Sequence, residues 1–418
     1  MVVRKKASLL VLLVTLIFVA ASFTLWALAD ESIAASAAFS PPTSRPTPSS
    51  QGNESNARFS RLAGTLTDLG GEVGQQISGD LNSMEEDPGE FLKRPELDLL
   101  SRGLSQVLAS PEGSAAHEQS RADPAITFRP MLNLVRVLCV QMRAELLAGK
   151  PDEAWQTVEL GRGLIHLLYD NASTLIQLTA ARSGQRLLLK EVVAGIDTEQ
   201  WQSAQLEALL AQSPEQSARD ALPIALKNEY EGTIEAIHGQ IASHSPLARG
   251  YLYHPNRTAN LWNGNLSDVI SSLGQGRLAE VYTAGDKHGV AVPALDVLLG
   301  RNKLGYQATI PALMGCDAAI EGSFQASVRE RLTAIRAALA LFHNQHGRLP
   351  ENLSALKDAY PQISIVDPWS ATGRILHYDP SRGALYSLGF NQKDDGGTPA
   401  TFDETGAVDD YGVRLARK

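Results

Sequence analysis

The sequence predicts a mainly α-helical protein. It comprises an N-terminal single-pass transmembrane helix, an irregular helical bundle and a small C-terminal α+β module. Three observations carry this expectation. An uncharged apolar run stands near the N-terminus. Apolar residues then recur at three- and four-residue steps through most of the chain. Near the C-terminus the pattern changes to short strand-like runs bounded by Gly, Pro and Asp.

The apolar run is residues 7–29, "ASLLVLLVTLIFVAASFTLWALA", and it carries no charge. A helix needs roughly 20 apolar residues to cross a bilayer. Arg4, Lys5 and Lys6 precede it and Asp30 and Glu31 follow. That asymmetry puts the N-terminus in the cytoplasm and the body in the periplasm of a bacterial inner-membrane protein. Ala27-Leu28-Ala29 also fits a signal-peptide cleavage pattern, and cleavage would leave the body on the same side. Residues 30–57 contain "SPPTSRPTPSSQGNESN", too poor in apolar groups to fold, and read as a disordered linker. The chain has 418 residues, more than one ordinary core uses, so two or three domains are expected. A net charge of −9 offers no basic field for nucleic acid. Cys139 and Cys316 are the only thiols, and their separation does not demand a disulfide.

Residues 58–321 read as a helical domain. Leu134, Leu138, Met142 and Leu146 recur at four-residue steps. Gly149 ends that helix, and Pro151, Asp152 and Glu153 open the next. The pair resembles one tetratricopeptide-type unit, "AELLAGKPDEAW", but no second copy follows at a fixed period. Further helices are expected over residues 174–194, 198–212 and 218–241. Residues 244–266, with their Pro, Asn, Gly and aromatic content, read as a long ordered loop.

Residues 322–418 form the C-terminal module. A helix over residues 323–346 presents Val328, Leu332, Ile335, Leu339 and Phe342 on one face, and Gly347 stops it. A short helix capped near Asn352 follows. Two strand-like runs, 375–378 and 384–388, flank the turn residues Asp379 to Gly383 and signal a hairpin. The order "ALALFHNQHGRLP", "ENLSAL", "DPW", a tyrosine in the first strand, "YSLGFNQKDDGG" and a late acidic pair resembles the C-terminal part of the major pseudopilin of type II secretion systems. The resemblance covers roughly residues 323–415, and the chain lacks that family's Gly-Phe-Thr-Leu-Ile-Glu processing site. It implies a structural Ca²⁺ ion, a cation that takes 6–8 oxygens. The matching ligands would be the Leu388 carbonyl, the Asn391 side chain, Asp394 or Asp395, and Asp409 or Asp410. Asn391 stands where the family usually has an aspartate, which implies a weaker site.

Other constellations read as ordinary surface. Glu231, Glu235 and His238 share a helix face, but a di-iron bundle needs a second Glu-x-x-His. His343 and His346 suit the dipole at a helix end. No nucleophile elbow, metalloprotease motif or phosphate-binding glycine loop is present. The expected function is therefore non-enzymatic: a membrane-anchored extracytoplasmic scaffold or assembly protein, with secretion or pilus assembly proteins as partners. The alternative is an extracytoplasmic enzyme or ligand-binding protein with its site between the helical bundle and residues 244–266.

Overall fold

The structure is a computed structural model that describes residues 39, 87–109, 124–211, 215–274, 296, 300–389, 392–394 and 411–414. The expected anchor (7–29) and linker (30–57, Phe39 apart) lie outside the described residues. Among the described residues no helix is long and apolar enough to cross a membrane. The predicted class holds in its coarse form: mainly helix, with one small antiparallel sheet.

The chain divides into two compact units, and the divisions after Leu226 and after Gly315 fall within helices. One unit comprises Met1–Pro46, Lys227–Gln275 and Gly285–Gly315. The other comprises Thr47–Leu226, Gly276–Ala284 and Cys316–Lys418.

The second, larger unit begins with α1 (Pro88–Phe91) and α2 (Pro95–Ala109). Its core is three mutually packed helices, α3 (Pro124–Leu147), α4 (Pro151–Asp170) and α5 (Leu175–Asp197). The expected α3–α4 pair is present with the expected punctuation. Gly149 takes φ +71°, a left-handed conformation that costs glycine little, and Lys150 N–H returns to the Glu145 carbonyl. Pro151 then occupies the first turn of α4, where its missing N–H is no loss. Leu134, Leu138, Met142 and Leu146 are all buried.

Thr174 and Gln177 form a reciprocal capping box that starts α5. Its far end is closed by Trp201, whose indole N–H donates to the Val192 carbonyl at 2.9 Å. Gly195 permits this, because a Cβ there would lie 2.4 Å from Trp201 Nε1. The turn through Glu199 (φ 58°) leads to α6 (Ser203–Ala211), shorter than the helix expected over 198–212. A buried polar seam joins α5 to the later part of α10 (Lys303–His346). Arg182 donates to the Ala319 carbonyl and Ser323 Oγ, and Gln185 donates to Glu330.

The smaller unit holds the later part of α7 (Glu215–Ile241), α8 (Pro246–Leu252), α9 (Pro255–Gly274) and the start of α10. Here one expectation is corrected: residues 244–266 are two helices, not a long loop. Ser245 caps α8 by accepting from Ala248 N–H. Pro246 and Pro255 begin helices rather than break them. Ala259, Trp262, Leu266 and Val269 then form a buried stripe at helical spacing. Trp262 packs with Phe39 and Tyr230 at centroid distances of 5.5 and 5.4 Å.

The C-terminal helix also differs from expectation. It begins at Lys303 rather than near residue 323, running through Pro311, Gly315 and Gly322. The expected boundary between residues 321 and 322 thus falls inside it. Beyond Gly347 (φ +66°), Asn352 caps α11 (Leu353–Ala359) by accepting from Ala355 N–H at 2.9 Å. The predicted hairpin is formed by β1 (His377–Asp379) and β2 (Ala384–Ser387), with Tyr378 opposite Leu385. Asp379 organises its turn by accepting from Ser381 N–H, Ser381 Oγ and Arg382 N–H. A third strand, β3 (Tyr411–Arg414), pairs antiparallel with β2, giving the order β1-β2-β3.

Candidate functional site

The larger unit contains a groove of about 710 Å³. It is assembled from separate stretches: the end of α5, the Trp201 turn, α6, the last turns of α10, the Arg348–Leu349 connection and the β1–β2 turn. Ile196, Trp201, Leu206, Leu339 and Leu349 supply its apolar lining. Asp197, Glu199, Arg336, His343 and Arg348 supply its charged or titratable groups. Two carboxylates and two guanidiniums balance there, so the groove has no strong charge preference.

Asp197, Arg336 and Ser381 are engaged with the protein itself. Asp197 accepts from the Arg336 guanidinium, which is 5% exposed. Burial pushes the Asp197 carboxyl above its ordinary range, and the adjacent Arg336 charge pulls it part of the way back. Ser381, the hydroxyl in the lining, donates to Asp379 at 2.6 Å. A nucleophile needs its proton directed toward a base. This hydroxyl points its proton at the carboxylate that builds its own turn. The arrangement suits binding an apolar segment with polar edges.

A second set of groups closes the corner before the sheet. Asp367 is 2% exposed. It accepts from Trp369 N–H at 3.0 Å, Ser387 Oγ at 2.7 Å and Leu388 N–H at 3.1 Å. Burial pushes its carboxyl up, and those hydrogen bonds oppose the shift. Trp369 stacks on Phe324 of α10 at 4.2 Å. Together these contacts pin the end of β2 to the helix.

Of the residues expected to hold calcium, Leu388 and Asp394 are described. Asn391, Asp395, Asp409 and Asp410 lie outside the described residues. The Asp394 carboxylate accepts from Tyr386 Oη at 3.0 Å and lies 3.8 Å from His377 Nδ1. The neighbouring carbonyls of Trp369 and Gly389 face the side-chain amide of Gln392, at 3.1 and 2.5 Å. The Gln392 amide thus ties the turn after β2 to the Trp369 corner.

Most of the remaining sequence candidates are surface features. Glu231, Glu235 and His238 are exposed, and His238 packs edge-on against Tyr253. His346 lies against Phe342 at 4.2 Å, whereas His343 lines the groove. Cys139 and Cys316 are buried and not joined in a disulfide, and burial raises Cys139 to about 12. Sequence reasoning missed the groove, whose lining comes from distant stretches. It also missed the Asp367 corner, whose only local signal is the Asp-Pro-Trp triplet.

No protein-family model matches this chain, and no curated protein or solved structure is significantly similar to it.

Proposed function

We propose that this chain is a membrane-anchored extracytoplasmic scaffold or assembly protein that binds a partner in the groove between α5, α10 and the hairpin turn. The apparatus it serves is of the type II secretion or pilus kind. The observation that carries the binding role is the groove, with its apolar lining and with Asp197, Arg336 and Ser381 bonded within the protein. The pseudopilin resemblance of residues 323–415 supports the choice of apparatus. The apolar run 7–29 supports the anchor.

The test is site-specific photocrosslinking in native membranes, with a photoreactive amino acid replacing Leu349 or Ser381. Adducts with secretion or pilus assembly proteins are expected from these positions and not from an exposed control such as Arg102. Equal labelling from groove and control positions would sink the proposal.

A further inference from the structure

We propose, resting on that partner-binding reading of the groove, that its occupant is an extended, uncharged stretch of polypeptide, held by its backbone to His343 and Asn344 of α10. Both side chains line the groove, and neither hydrogen-bonds to another described residue. They differ in this from Asp197, Arg336 and Ser381, whose polar atoms are already bonded within the protein. Asn344 is exposed and His343 half-buried, so both meet solvent while the groove is open. An occupant that excludes water must replace the hydrogen bonds it removes, because a buried polar group left unpaired costs free energy.

The chemistry of the two side chains defines what can replace them. A side-chain amide offers an acceptor oxygen beside an N–H₂ donor, and a neutral imidazole offers one donor and one acceptor. Their complement is a donor and an acceptor side by side. Every non-proline residue carries that pair on its main chain. In a helix the pair is spent within the helix, whereas an extended strand presents it along its edge. A hydrocarbon chain brings neither group and would leave Asn344 covered and unpaired.

Charge narrows the class further. Asp197 and Arg336 neutralise each other in the wall. Glu199 and Arg348, of opposite sign, stand on separate connections. The groove thus sets up no field that would draw nucleic acid or a strongly charged peptide. Ile196, Trp201, Leu206 and Leu339 favour apolar side chains instead. Its volume of about 710 Å³ is that of a site for a compact ligand, room for a few residues and not for a folded face.

The experiment is selection of a random heptapeptide library, displayed on phage, against the full-length chain in detergent. The enriched peptide is then titrated by fluorescence anisotropy. It should carry apolar residues at alternate positions and no net charge. Asn344→Ala should weaken its binding about tenfold while leaving the thermal midpoint of this exposed position's chain unchanged. In a series of peptides each methylated at one backbone nitrogen, one member should lose about as much, roughly tenfold, on the native chain and lose nothing further on Asn344→Ala. A charged consensus, indifference to every methylation, or equal binding to Asn344→Ala would overturn the proposal. Crosslinks from Leu349 and Ser381 with no peptide binder would overturn it too, and would keep the groove as a site for a partner's folded surface. Peptide binding of the expected kind without those crosslinks would support it and overturn the choice of apparatus.

Discussion

Asp367 shows how one side chain can decide a local fold. Its carboxylate receives three groups from two segments, and it is buried while doing so. Removing it leaves the Ser387 hydroxyl and two backbone N–H groups without their acceptor. Asp367→Ala should therefore cost about 3 kcal/mol in chemical denaturation. Asp367→Asn should cost less, since one oxygen remains. The pH dependence follows from the raised carboxyl. The folded state holds this proton more tightly than the unfolded chain. Its contribution to stability is complete below the ordinary carboxylate range and lost as pH rises through the raised value. The Asn variant should lack that component, which a comparison of denaturation midpoints from acid to neutral pH would detect. The triplet Asp-Pro-Trp was visible in the sequence. Its acceptor role was not, because Ser387 and Leu388 meet it only after the hairpin has folded back.

Elements were legible where punctuation and period agreed. Gly149 and Pro151 marked the α3–α4 connection, and the Asp379–Gly383 turn marked the hairpin. Legibility fails over residues 244–266, where Pro, Asn and Gly content reads as loop although Pro246 and Pro255 stand at helix starts. The spacing of Ala259, Trp262, Leu266 and Val269 carried the correct signal. The start of α10 was hidden in a similar way by Pro311, Gly315 and Gly322. The groove was not legible at all, since no local pattern joins Trp201, Arg336 and Ser381. At this scale the Gly195 contact gives a sharp expectation. Gly195→Ala would push Trp201 from the end of α5 and break its bond to Val192. We expect a loss of about 1–3 kcal/mol, measurable by denaturant unfolding. Quenching changes in Trp201 fluorescence should accompany it, read in a variant whose other tryptophans are replaced.

For the molecule as a whole, the anchor is the first matter to measure. Intact mass of protein taken from native membranes should correspond to a chain that retains residues 7–29, by the length of the run and its basic flank. A mature chain beginning at Asp30 would overturn the anchor and keep the location. The division into units has a further consequence, which concerns the order of synthesis. The larger unit is interrupted in sequence, with Lys227–Gln275 and Gly285–Gly315 assigned to the other. Arg182 must wait for the Ala319 carbonyl, 137 residues later. At roughly 5–20 residues per second that delay is about seven to thirty seconds. During it, a buried face of α5 and a guanidinium without its native acceptors stand exposed on the growing chain. Two of the smaller unit's three segments, Lys227–Gln275 and Gly285–Gly315, emerge within this interval. The face of α5 that carries Arg182 is thus made well before its partner, and the later part of α10 is the piece that covers it.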